Sequence, residues 1–547
     1  MKRFIYTLAA LALGTSLSAQ NINQTVQVTN DYVTRFADFQ KQGAELKVPD
    51  SLYRFDYRFD YSVFETPYKG SYEFVPYRIQ VTPQARLYDG SKLYLRAGAG
   101  LSLHPQLEFA AQLLQEKDFT IGVFADGGGY FGNYYGQDGN SFRGHDLSAR
   151  VAVNGQRLMK AVRLSYELAY DGIFAGETGD NPAFRSGFNS AYAMARVQSR
   201  ELPKNQLFYD LDLRFRYSGD SYPASMKMDN VGESDLRVAL SLGPELQQKY
   251  KILIDGIFEM ASLRSQDTMF GGAGATTNLS TLRPHLDFQL GPVRLDAGVR
   301  MDFSVWGNDR SDIHFTLAPD VTARFALLEA DLELFAGVSG GQRLEDHYTL
   351  KQLHHFLPRG LCPAKISREK LRIRAGVEGH WGSRLQYAVE GGWASLEDTP
   401  VATYGSIVFP DARTAYGQAS LQWEDERLQL DGRLRYAWMD FTLDGIGGFF
   451  YVPAAFTADV RGSWNWDRRI FVGAFVEAAS ARGMVGPSPT DSKIPAYANL
   501  GLTGEYRFNR WLGVWAEGGN LLGMEIQRTP GYAEKGPYFT LGLRLKL

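Results

Sequence analysis

The length of its alternation limits most strongly what this chain can become. Leu207, Tyr209, Leu211, Leu213, Phe215 and Tyr217 alternate with Asp210, Asp212, Arg214 and Arg216. Val293, Leu295, Ala297, Val299, Met301, Phe303 and Val305 alternate with Arg294, Asp296, Arg300, Asp302 and Ser304. Side chains on a strand point to opposite faces in turn, so period-two patterns this long predict strands and exclude helices. Ordinary strands run about five or six residues, whereas strands that cross a membrane need about nine to eleven. These runs have crossing length, with one apolar face and one charged face. The last strand repeats the pattern: Phe539, Leu541, Leu543, Leu545 and Leu547 share one side, opposite Tyr538, Thr540, Gly542, Arg544 and Lys546. Such a strand separates lipid from water.

The connections sharpen this. Short polar turns at residues 116–118, 247–249, 291–292, 382–383, 424–426, 467–468 and 509–510 alternate with longer links rich in Gly, Asp and aromatics. Short turns at one end and long loops at the other are the signature of a membrane barrel. The count from Leu93 is about twenty-two strands, an even number, starting and ending on the short-turn side. The fold expected is all-β: a transmembrane antiparallel β-barrel over residues 91–547, preceded by a short periplasmic extension. Its closing strand should pair with the strand from Leu93 to Leu103. A closed barrel satisfies the backbone groups that lipid cannot, and one this wide belongs to the range with a plugged lumen. Trp381, Trp393, Trp438, Trp464, Trp466, Trp511 and Trp515 lie mostly near strand ends, where interfacial aromatic belts sit.

The first nineteen residues read as a secretory signal: Lys2 and Arg3, an apolar core, then small residues to Ala19. Residues 20–90 are polar with intermittent alternation, and read as a periplasmic or luminal extension too small for a substantial core. Cys362 is the sole cysteine, which excludes an intramolecular disulfide. The net charge of −3 gives no sign of nucleic-acid binding.

The C-terminal residues resemble TonB-dependent outer-membrane receptors. Asn520-Leu521-Leu522, Pro530-Gly531-Tyr532 and Phe539-Thr540-Leu541-Gly542-Leu543 are similar to that family's closing turn, loop and strand. Gln24, Thr25, Val26, Gln27, Val28 and Thr29 resemble its Thr-rich box, through which the resemblance implies pairing with TonB by strand addition. Two departures stand out: too few residues precede the barrel for a folded plug, and the chain ends on Leu547, not an aromatic residue. The whole resembles the shorter, plugless TonB-receptor-like barrels of the Bacteroidota, with Val28-Thr29-Asn30-Asp31-Tyr32 near the mature start. That resemblance implies the Gram-negative outer membrane, with periplasmic N- and C-termini. It also implies that outer-membrane folding machinery engages the insertion strand carrying Phe539, Leu541, Leu543, Leu545 and Leu547.

Candidate chemistry is sparse. His347, His354, His355 and Cys362 share the longest link, residues 342–370, but their spacing matches no structural zinc pattern. That link reads as a solvated or partner-covered loop, so no metal or cofactor is expected. Asp126-Gly127-Gly128-Gly129 and the aromatics after it precede no helix pattern, so they read as a mobile surface loop, not a phosphate cradle. Such loops, with Gly448-Phe449-Phe450-Tyr451 in another, suit sugar stacking or partner packing. His285 with Asp287, and His380 with Glu378, are i, i+2 pairs of the sort any charged barrel interior produces, so catalysis is not expected. The leading expectation is a non-catalytic membrane subunit or scaffold of an outer-membrane assembly, secretion or uptake complex. Its partners would be outer-membrane lipid, lipopolysaccharide and a periplasmic or surface lipoprotein. The alternative is a transporter or receptor whose extension partly plugs the barrel.

Overall fold

The computed structural model describes residues 92–547 apart from 102, 136–140, 179–183, 201–205, 223–229, 247–249, 265–274, 307–312, 329–330, 358–363, 383, 404–405, 443–448 and 487–492. The signal, the extension, the Gln24 to Thr29 box and Cys362 lie outside the described residues.

The architecture is a closed antiparallel barrel of 22 strands. They begin with β1 Leu93–Leu101, β2 Gln106–Glu116, β3 Phe119–Tyr135, β4 Ser141–Leu158, β5 Val162–Glu177, β6 Arg185–Ser199 and β7 Gln206–Ser221. Next come β8 Val231–Leu246, β9 Tyr250–Arg264, β10 Thr276–Leu290, β11 Val293–Val305, β12 Ile313–Leu328, β13 Leu332–Glu345 and β14 Lys365–Trp381. The last are β15 Leu385–Glu397, β16 Asp411–Glu424, β17 Leu428–Thr442, β18 Phe456–Trp466, β19 Ile470–Ala479, β20 Tyr497–Arg507, β21 Leu512–Gly519 and β22 Tyr538–Lys546. Each pairs with the next, and β1 closes on β22 from Tyr94 opposite Lys546 to Leu101 opposite Phe539. The seam therefore falls where the alternation placed it. One helix, α1 His347–Leu353, lies in the link after β13.

The pleat sorts the side chains as the pattern requires. Leu541, Leu543 and Leu547 are exposed on the outer wall, while Thr540 and Arg544 are buried inside. On β11, Val299 and Phe303 point out, while Asp296, Arg300 and Asp302 are buried. No helix among the described residues is long and apolar enough to cross a membrane. An apolar outer wall on a closed barrel points to the Gram-negative outer membrane.

Two expectations need correction. The glycine-rich stretch from Asp126 is not a surface loop: it continues β3, with Gly127 opposite Ala149 and Tyr134 opposite Phe142 on β4. Glycine has no side chain to display alternation, so the ladder runs on where the pattern fades. Trp515 is not in an outer belt. It is 2 % exposed and points inward, with the Arg96 guanidinium 3.7 Å above its ring. A Cβ at Gly98 or Gly542 would collide with that ring, so glycine on both flanking strands lets Trp515 lie across the seam.

Candidate functional site

The candidate site is the lumen and the loops that cover its long-link end. Helix α1 starts where Asp346, in extended backbone, accepts a hydrogen bond from the Thr349 amide at 2.7 Å, a side-chain N-cap. Leu350 and Leu357 are buried against Ile407 of the next long link. Because α1 leaves the wall between β13 and β14 yet binds β5–β8, it bridges the mouth. The His347 amide donates to Glu233 at 2.7 Å, and His347 Nε2 lies 3.0 Å from Asp220. Lys351 Nζ reaches Asp220 at 3.3 Å and donates to Ser186 Oγ at 2.8 Å and to the Leu357 carbonyl at 2.9 Å. Lys351, His347 and Asp220 are almost wholly buried, so their mutual charges are not screened by water. The Arg216 guanidinium sits 3.3 Å over the Tyr348 ring. Burial pushes the Tyr348 phenol up from its ordinary range, so it stays neutral.

A second contact fixes the far end of this segment. The Phe356 ring stacks on Tyr532 at 3.6 Å, and Tyr134 and Phe184 pack around the pair. Tyr532 belongs to a hairpin of Ile526–Thr529 and Tyr532–Glu534 that turns at Pro530 and Gly531. Asn520, in left-handed backbone (φ 47°), positions that excursion. Its amide side chain donates to the carbonyls of Met524 at 2.7 Å and Gly536 at 3.0 Å, and accepts from the Met524 amide at 3.0 Å.

These placements revise the solvated-loop expectation. His354 Nε2 donates to the Thr403 carbonyl at 3.0 Å, and His355 Nδ1 lies 2.7 Å from Asp146. All three histidines of the link are buried in the mouth. They bind separate partners, and among the described residues no group of three or more His, Cys, Asp or Glu is arranged to hold a metal. The sequence signal overlooked was Asp346 followed by apolar residues at Leu350, Leu353 and Leu357, a capped helical pattern inside a long link. The aromatic loop is also reassigned: Phe450 and Tyr451 are buried in a small sheet with Met484 and Val485, so neither ring is offered to sugar.

Below the mouth the inner wall has two characters. Along β5–β12 the buried charges pair with one another. Arg283 reaches Asp296 at 2.8 Å, Asp320 at 2.9 Å and Asp255 at 3.5 Å. His285 lies between Asp255 at 2.7 Å and Asp296 at 2.9 Å, not beside Asp287. Asp287 is instead held by Arg294 at 3.0 Å, and Glu378 by Arg324. The His285–Asp287 pair is therefore not the arrangement found. The other wall, β13–β22 with β1–β4, encloses a water-accessible cavity of about 930 Å³, and among the described residues none of its lining comes from β5–β12. Ala388, Ser420, Ser463 and Thr503 line it; side chains this short leave the volume open.

The fold has precedent among solved structures. A copper transporter, OprC, is similar with a TM-score of 0.58 at 16% identity, over 84% of this chain and 80% of that one. The FrpB iron transporter of Neisseria meningitidis gives 0.64 at 10% identity, over 84% and 81%. The ferric enterobactin receptor PfeA of Pseudomonas aeruginosa gives 0.59 at 12% identity, over 84% and 80%. No family model and no curated protein matches the chain. At these identities the likeness is one of fold.

Proposed function

We propose that this barrel is an outer-membrane transporter or receptor of the TonB-dependent type, taking up a polar solute through its lumen. The observation that carries this reading is the cavity of about 930 Å³ inside the barrel, lined at the mouth by His355 of the segment after α1 and by the 526–534 hairpin. A scaffold needs only an outer surface and loops. A polar chamber behind a covering loop is what a solute pathway needs. The similar solved structures are transporters and a receptor, which also favours this reading over the scaffold.

In this reading residues 20–90 act as a reduced plug, and Gln24 to Thr29 form the strand that TonB takes up from the periplasm. The short-turn end and both termini face the periplasm, and the loops face lipopolysaccharide. The outer-membrane folding machinery engages β22, and a surface lipoprotein docks on the loops. Deleting residues 21–50 tests the proposal. Loss of TonB-dependent uptake with the barrel still folded in the outer membrane is the expected result. Unchanged uptake with loss of a co-purifying protein would return the scaffold reading to first place.

A further inference from the structure

On the outside of the barrel, just short of the long links, β6–β9 carry a groove of about 510 Å³. Its floor is one rung of the ladder: Asn189 of β6 faces Gly219 of β7, Gly219 faces Gly232 of β8, and Gly232 faces Arg264 of β9. Two of these four residues have no side chain, so the wall is hollowed there to backbone. One outward rung nearer the short turns, Tyr170, Ala191 and Tyr217 stand in register. Both tyrosines are exposed, and the Tyr217 hydroxyl reaches over Gly232.

The outward face of β7 runs Leu213, Phe215, Tyr217, Gly219, Ser221 toward the long links, and that of β9 runs Ile254 through Met260 to Ser262 and Arg264. Apolar, then aromatic, then small and polar is the order in which a wall leaves hydrocarbon for the headgroup layer. At that level the groove is polar. The Tyr170 hydroxyl donates to Asn189 Oδ1, and Asn189 Nδ2 donates to the Gly187 carbonyl at 3.2 Å. The Ser221 hydroxyl donates to the same carbonyl at 3.1 Å, which leaves its oxygen able to accept. Arg264 is exposed and has no ion-pair partner among the described residues, and Arg185 on the outward face of β6 adds a second cation. Among the described residues of β5–β9, no outward position from the Tyr170 rung to the long links holds a carboxylate. Asp220, at the same height, turns inward to Lys351 at 3.3 Å.

A hollow in a lipid-facing wall forfeits dispersion contacts unless something fills it. An acyl chain alone would leave the Arg264 guanidinium and the Asn189 amide unmatched. A phosphorylated sugar headgroup matches both, and its acyl chains continue down the wall past Phe215 and Leu213. Resting only on the outward orientation of the long links proposed above, we infer that this groove binds one molecule of lipid A, the phosphorylated glycolipid of the outer leaflet. Its phosphate pairs with Arg264, its sugar hydroxyls meet Asn189 and Ser221, and its sugar face lies against Tyr217.

The test is native mass spectrometry of the full chain released from detergent micelles, titrated with diphosphoryl lipid A and, as comparators, dephosphorylated lipid A and phosphatidylglycerol. A discrete adduct of one lipid A per chain is expected, weaker without the phosphates and absent with phosphatidylglycerol. Arg264→Gln should weaken binding about tenfold, the worth of one charged hydrogen bond. Ala191→Leu, which fills the groove, should weaken it at least as much, while Arg510→Gln, an exposed cation in a short turn, leaves it unchanged. Heat-modifiable migration on gels verifies that each variant is folded. Folded wild type without a discrete lipid A adduct, equal binding of phosphatidylglycerol, displacement of lipid A by millimolar inorganic phosphate, or folded R264Q and A191L that bind as tightly as wild type overturns the inference. Protease added to intact cells checks the orientation separately: long links cut only after the outer membrane is broken would place the groove in the wrong leaflet for lipid A.

Discussion

The wall over β5–β12 and the wall over β13–β22 with β1–β4 come from the same alternating pattern, yet one is filled and the other is hollow. Along the first, inward positions carry Arg, Asp and Glu held in close ion pairs, even where the ladder sets like charges opposite each other, as Arg214 faces Arg237 and Asp287 faces Asp296. Arg283 meets Asp296 at 2.8 Å, and Asp302 takes Arg300 at 2.9 Å. Along the second, short side chains such as Ala388, Ser420, Ser463 and Thr503 lie among the charges. Long paired charges fill an interior, whereas short side chains between the charges leave room for water.

The largest effect should erase the contrast. Leu543→Asp with Leu545→Asp puts charge on the outer face of the seam strand, so neither wall should assemble. Failure to extract the variant with the outer membrane is the expected readout, and a folded, membrane-extractable double mutant would refute the barrel. Next, Arg283→Met leaves Asp255, Asp296 and Asp320 around a side-chain site that is 1 % exposed. Breaking such a buried cluster should cost about 3–5 kcal/mol, seen as a lower urea midpoint in lipid vesicles. Lys351→Met removes the ammonium that ties α1 to Asp220 and Ser186, a loss of about 2–3 kcal/mol. Its sharper signature is on the mouth: single-channel conductance in planar bilayers should rise as the segment detaches, and an unchanged trace would show that α1 does not cover the pathway.

Glu517→Gln should behave oppositely to Arg283→Met. It sits in the hollow wall and accepts from neutral donors, so stability from urea unfolding should change by less than about 1 kcal/mol. A large shift would mean that Glu517 braces the fold.

The smallest effect lies outside both walls, in the short turn after β16. Asp425 accepts from the Leu428 amide at 2.7 Å, the Arg427 amide at 2.8 Å and the Trp423 indole at 3.3 Å. Those backbone hydrogen bonds hold its carboxyl below the usual aspartate range. A depressed carboxyl stabilises the fold fully above its ordinary value near about 3.9, and that contribution fades as pH falls through the lowered one. Asp425→Asn should therefore lower the urea midpoint slightly at pH 7 and converge on wild type in strong acid. Identical curves at both pH values would remove Asp425 from the turn's stability.

By itself the sequence determined the strands, their inner and outer faces and the seam. These follow from the pleat, a local geometry that every alternating residue reports. Even the two least regular stretches, Ala191 to Gln198 and Thr414 to Trp423, lie within β6 and β16. The pleat does not say which inward charge meets which. His285 finds Asp255 and Asp296 on adjacent strands because register, not sequence distance, sets neighbours. Nor does it place Trp515 under Arg96 at the closure, or carry Lys351 across the mouth to Asp220. Those contacts join residues far apart in the chain, and the tertiary structure alone decided that one wall is packed and the other open.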